Sequence, residues 1–114
     1  MTLLTPEQRE LLLANGQLSR EREDFDPHPI AKLFTPDAGA TWLITELDPD
    51  DPSIAFGLCD LGLGSPELGS VSLDEIAAVK GPLGLAVERD LHFVARQPIS
   101  AYAEEARRAG RIID

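Results

Sequence analysis

Three consecutive leucines, Leu11 to Leu13, follow a Thr5-Pro6 pair with Gln8 three positions after the threonine. This is a capping box ahead of an apolar run: threonine accepts from a first-turn amide, proline suits the first helical position and glutamine reaches back to the cap. Asn15-Gly16 reads as a stop, so the pattern predicts a helix within residues 1–16. Residues 17–29 crowd Arg20 to Asp24 and Asp26 around Phe25, and Pro27 and Pro29 forbid helix. A charged loop anchored by Phe25 is expected there.

From residue 30 the apolar period shortens to two. Ile30–Phe34, Ala40–Leu47 and Ser53–Leu61 read as strands, separated by the turn compositions of residues 35–39 and 48–52. Connections this short make neighbouring strands antiparallel. The second strand carries apolar residues on both faces, Trp42 and Ile44 against Leu43 and Leu47, which predicts a central strand covered on both sides. Gly62, Gly64, Pro66 and Gly69 imply an irregular loop returning to a short strand around Ser70 and Val71. Ser72 and Glu75 form a second capping box for a short helix near 72–80, closed by Lys80-Gly81. Val87 to Val94 alternates, with Val87, Leu91 and Phe93 opposite Glu88, Asp90 and His92, and predicts a further strand in which Arg89 must snorkel or pair. A last helix over 98–110 is expected to be capped by Ser100 and to bury Tyr102, Ala106, Ala109 and Ile113. The elements add to an α+β fold: a single domain over residues 1–114, with a four- or five-stranded, mostly antiparallel sheet within 30–96 and helices at both chain ends.

The 114 residues, 43% hydrophobic, suit one core rather than two. No apolar run approaches the roughly 20 residues of a membrane-spanning helix, and the first five residues lack the basic and apolar regions of a secretory leader. With Cys59 as the single cysteine, no internal disulfide or CxxC motif can form, and a cytoplasmic location is expected. Acids outnumber bases twenty to ten, a net charge of -10 that opposes direct binding to nucleic acid or an anionic membrane. The imbalance is local: between Leu33 and Val79 there is no lysine or arginine but there are nine acids, interleaved with apolar residues that a disordered acidic tract lacks.

Four ordered blocks carry a resemblance: residues 40–48 (ATWLITELD), 54–62 (IAFGLCDLG), 67–76 (ELGSVSLDEI) and 87–93 (VERDLHF). In order and spacing they resemble the bacterial domain-of-unknown-function family twenty-nine fifty-eight, over about residues 28–96 and the final helix. The resemblance implies no activity, cofactor or catalytic residue. It does imply frequent carriage on plasmids, phages and other mobile elements, a setting that favours interaction with host machinery. The N-terminal helix and the charged loop at 20–26 depart from the family pattern, so partners of relatives that use that region do not carry over.

Candidate chemistry is sparse. The Asp48 to Pro52 segment suggests calcium, yet an EF-hand needs glycine at its sixth position and glutamate at its twelfth, where this chain has Ser53 and Cys59. Asp90 and His92, which share a predicted strand face with Glu88, could join Glu46 or Asp60 in a carboxylate–histidine metal site, although alternating polar residues more simply mark a solvated face. Cys59 and His92 could form a nucleophile and base, but a cysteine between apolar neighbours behaves as a small hydrophobe. The glycines of 62–69 lack the lysine and helix start of a phosphate cradle, and His28 between two prolines is expected to be exposed.

These features predict a small acidic binding protein, not an enzyme, without a cofactor. Its expected contact face is Glu46, Asp48, Asp50, Asp51, Asp60 and Glu67, with Asp74 and Glu75 partly committed to a helix start. Spaced carboxylates can compete with DNA phosphates for the lysines and arginines of a nucleic-acid-binding protein, so a DNA-mimic inhibitor of restriction or CRISPR interference is the leading expectation. The alternatives are a metal-binding accessory using Asp90, His92 and Glu46, and a homo-oligomeric scaffold that pairs through an edge strand or Phe25.

Overall fold

Thr5 caps the first helix as expected. Its Oγ1 accepts from the Gln8 amide at 3.0 Å and its own amide donates to Gln8 Oε1 at 3.0 Å. The computed structural model describes residues 3–114, so Met1 and Thr2, the start of the expected 1–16 segment, lie outside the described residues. The helix, α1, runs over Pro6–Glu21, five residues beyond the expected stop, and takes in the first part of the expected 17–29 loop. Asn15-Gly16 does not end it because both residues serve the contact with the sheet. Asn15 Nδ2 donates to the Thr45 carbonyl at 2.9 Å, and Gly16 is buried where an added Cβ would run into the Leu47 carbonyl oxygen.

Five strands follow: β1 (Ala31–Phe34), β2 (Thr41–Asp48), β3 (Asp51–Asp60), β4 (Glu67–Ser72) and β5 (Glu88–Arg89). A short helix, α2 (Leu73–Ala78), separates β4 from β5, and α3 (Ile99–Ala109) closes the chain. The sheet order is β4-β3-β2-β1-β5 with every pairing antiparallel. This is the expected mixed α+β domain, with helices at both ends and β2 at the centre. Among the described residues no helix is long and apolar enough to cross a membrane.

Two core clusters cover the two faces of β2. Trp42 and Ile44 pack with Leu12, Leu33, Leu73 and Ile76 beneath α1 and α2, whereas Leu43 packs with Leu58, Tyr102, Ala106 and Ile112 beneath α3. Simple alternation would put Leu47 with Leu43, but it belongs to the Trp42 cluster. The cause is a bulge: Ile44 pairs with Gly57 and Glu46 with Phe56, so Thr45 is an extra residue that flips the side-chain alternation beyond it.

The strand expected over 87–94 is far shorter. Only Glu88 and Arg89 pair with β1, which is itself four residues long. The Asp90 amide donates to the Lys32 carbonyl, and Asp90 Oδ1 then accepts from the His92 amide at 2.8 Å in a local turn that leads the chain off the sheet. Leu91 and Val94 end 72% and 85% exposed instead of on an apolar face. Arg89 does pair, its Nη1 donating to the Leu3 carbonyl at 3.2 Å.

The last helix also differs from its expected form. Pro98 occupies the cap position, while Ser100, inside the helix, receives its partner from elsewhere: Asp26 accepts from the Ser100 amide at 3.1 Å and from its hydroxyl. Gly110, in the left-handed conformation (φ 74°), ends α3; Ile112 beyond it is buried, while Ala109, the last residue of the helix, and Ile113 are exposed.

Candidate functional site

The acids of the expected contact face separate into three groups. Glu46, Asp48, Asp50 and Asp51 gather at the β2–β3 hairpin, where Asp48 pairs with Asp51 across the turn. Asp60 lies at the far end of β3, nine residues from Asp51, which is about 30 Å at roughly 3.3 Å per residue. Glu67, exposed at the start of β4, also belongs to that far end, opposite Cys59. Asp60 is not available to a partner. It is 3% exposed, and its carboxylate accepts from the Gly62 amide at 2.8 Å and from the Ile112 amide at 2.9 Å, fastening the C-terminal segment to the sheet.

At the hairpin the carboxylates are held in place. Arg20 on the last turn of α1 donates to Asp48 Oδ1 at 2.8 Å and to Asp50 Oδ2 at 2.9 Å. The Asp50 amide donates to Asp48 Oδ1 at 2.9 Å, and Asp51 Oδ1 accepts from the Ser53 amide and hydroxyl. These ion pairs are exposed and screened by solvent, so their effect is orientation more than stability. Beside them lies a cavity of about 230 Å³, walled by Glu46, Asp48, Arg20 and Ser19 and floored by Ile54 and Phe56. Burial pushes the Glu46 carboxyl above the ordinary glutamate value; a hydrogen bond with Ser19 acts in the opposite sense, and the Asp48 charge adds to the rise. The slot therefore sets two carboxylates and the Arg20 guanidinium around an apolar floor.

Arg20 is the residue that charge counting along the chain misses. It lies outside the base-free stretch, in a segment expected to be a loop, and helical continuation through Gly16 brings it to the hairpin. The signal in the sequence is the spacing from Asn15 to Ser19 and Arg20, which follows one helical face when the helix does not stop at Gly16.

The expected metal ligands do not meet. Asp90 is paired with Lys32 at 3.6 Å and bonded to the His92 amide, while Glu46 and Asp60 lie near opposite ends of the sheet. Among the described residues no group of three His, Cys, Asp or Glu side chains could hold a metal ion. Burial raises the Cys59 thiol to about 11, which keeps it protonated and unreactive at neutral pH. His28 is exposed, as its flanking prolines imply.

Compared with known proteins, residues 3–113 match the model of a family described as protein of unknown function (DUF2958). No curated protein and no solved structure matches the chain.

Proposed function

The chain belongs to this family of unknown function, and from that premise we propose that it is a non-enzymatic binding protein whose acidic hairpin engages the basic, nucleic-acid-binding surface of another protein. The observation that carries this reading is the Arg20-held pair Asp48 and Asp50 beside the slot walled by Glu46. Fixed carboxylates lose little side-chain entropy on binding, which is the advantage of preorganisation. The slot takes one lysine or arginine of the partner, its stem against Ile54 and Phe56 and its charge between Glu46 and Asp48. Glu21, Glu23 and Asp24, at and just beyond the end of α1, are exposed and extend the negative potential around Arg20. Restriction, interference and recombination proteins are the partner class that suits such a surface, since their grooves are built to hold phosphates. Duplex DNA then competes for the same basic groups.

The test begins with salt-gradient elution of partners captured from a bacterial lysate, followed by competition of the captured protein with duplex DNA. The Asp48→Asn/Asp50→Asn/Asp51→Asn triple variant is expected to bind at least tenfold more weakly and with a shallower salt dependence. Triple-variant binding that equals wild type at every salt concentration, or wild-type binding that duplex DNA does not disturb, excludes the proposal.

A further inference from the structure

A second surface, which meets the hairpin slot at Ile54 and Ser70, carries its own inference. Strand β4 is an edge of the sheet: β3 occupies one side and, among the described residues, no strand occupies the other. Natural edge strands are protected by lysine, proline, bulges or brevity. The six residues of β4, Glu-Leu-Gly-Ser-Val-Ser, contain no lysine and no proline, and their pairing to β3 is unbroken from Glu67 to Ser72. Its outer backbone groups are open to an incoming strand.

Beside this edge runs a groove of about 450 Å³ between β4 and α2. Trp42 forms its floor, Val71 and Ile76 its sides, and Leu61 and Val79 its rim, with Glu75 at one margin. Leu61 is 60% and Val79 37% exposed, whereas Trp42 is 3% exposed, so the rim is apolar and open and the floor buried. Acids stand at both ends of the edge and none between: Glu67 opens β4, and Asp74 and Glu75 follow it in the first turn of α2. The neighbouring bases are Lys80, which follows Val79, and Arg107, which lies beside Glu67 and Leu68 on the α3 side.

We propose that β4 and its groove receive an extended segment of a partner protein by strand addition, the segment having β-branched residues at its centre and basic residues at its two ends. Main-chain hydrogen bonds to the edge supply affinity, and alternate side chains entering the groove over Trp42 supply selectivity. Charge chooses this occupant over a second copy of the chain, because two copies each carrying a net charge of -10 would bring Glu67 and Glu75 toward their own kind. Strand addition at this edge does not rest on the hairpin reading, although Ile54 and Ser70 line both cavities.

Trp42 is the only tryptophan and serves as the reporter. The probe is a synthetic peptide of about eight residues, alternating valine and threonine at the centre with lysines at both ends, a length that matches an ordinary strand. Saturable change in Trp42 emission is expected, with amide shifts in the NMR spectrum confined to residues 67–79. The same peptide N-methylated at alternate residues on the bonding edge should bind at least tenfold more weakly, and so should Val79→Ser, a rim substitution that removes apolar contact without adding charge and leaves the core intact. The proposal is overturned by no response up to millimolar peptide, by equal binding of the N-methylated peptide, or by a dimer of the free protein formed through β4. Peptide shifts confined to Asp48–Asp51 and α1 also overturn it, while leaving the hairpin reading in place.

Discussion

Gly16 combines two properties that a sequence alone presents as opposites. It lies inside a helix, where glycine costs about 1 kcal/mol relative to alanine, yet it is the residue that lets α1 approach β2. The obstructing atom is a backbone oxygen of the central strand, which cannot swing aside as a side chain end would, and Pro49 Cδ would stand 3.1 Å from the new Cβ on the other side. Gly16→Ala is therefore expected to destabilise the fold by about 2 kcal/mol, since overpacking of about 1–3 kcal/mol outweighs the helix-propensity gain. Urea unfolding monitored by Trp42 fluorescence measures it; an alanine variant as stable as wild type would show that α1 can lift without loss. Glu46 offers a second check. Its carboxyl value is raised in the fold, so the folded state holds the proton more tightly than the unfolded chain does. That contribution is present at pH below the unfolded value and is lost as pH rises through the raised one. Glu46→Gln is expected to raise Tm at neutral pH, with the two proteins converging in acid. A Tm difference independent of pH would contradict this. The Asn15-Gly16 pair was open to misreading because glycine's conformational freedom and its lack of a side chain leave the same letter in the sequence.

Among the elements, those read correctly are the ones whose limits are set locally. Thr5 and Ser72 cap their own helices, and the turn residues at 35–39 and 48–52 lie where the hairpins form. The elements misread depend on a distant partner. β5 can extend only as far as β1 offers backbone, so alternation from Val87 to Val94 could not reveal its length. α3 takes its N-terminal acceptor from Asp26, 74 residues away, and no local motif announces that. The charged segment before β1 therefore supports the fold directly. The Ile99 amide also donates to the Pro27 carbonyl at 2.8 Å, so residues 26 and 27 together seat the start of α3. Asp26→Ala is expected to cost about 1 kcal/mol, the usual loss for removing an N-terminal acceptor. Amide exchange should speed up in the first turn of α3 while β2 and β3 stay protected. Uniform exchange across the molecule would mean that α3 and the sheet open only together.

At the scale of the whole molecule, the α+β class, the antiparallel order and the two-sided coverage of β2 were legible from turn spacing and from the double apolar face of residues 42–47. The distribution of acids was not, because strand register decides which end of the sheet each carboxylate reaches. One row of letters became a hairpin tip, a buried fastener at Asp60 and an edge charge at Glu67. Shape and charge thus give the molecule two adjoining features, an acidic tip with a slot and an open edge with a groove, which meet at Ile54 and Ser70.

Asp60 and Ile112 are joined across 52 positions of the chain, and the cluster beneath α3 draws Ile99, Tyr102, Ala103, Ala106 and Ile112 from the single stretch 99–112. During synthesis the hairpins and the α1 face can form early, but one whole side of the sheet stays wet until residue 112 has emerged. The stretch 99–112 is thus the one that closes the second face of the sheet, and a ribosome stalled before it would hold a chain with Leu43 and Leu58 bare to water.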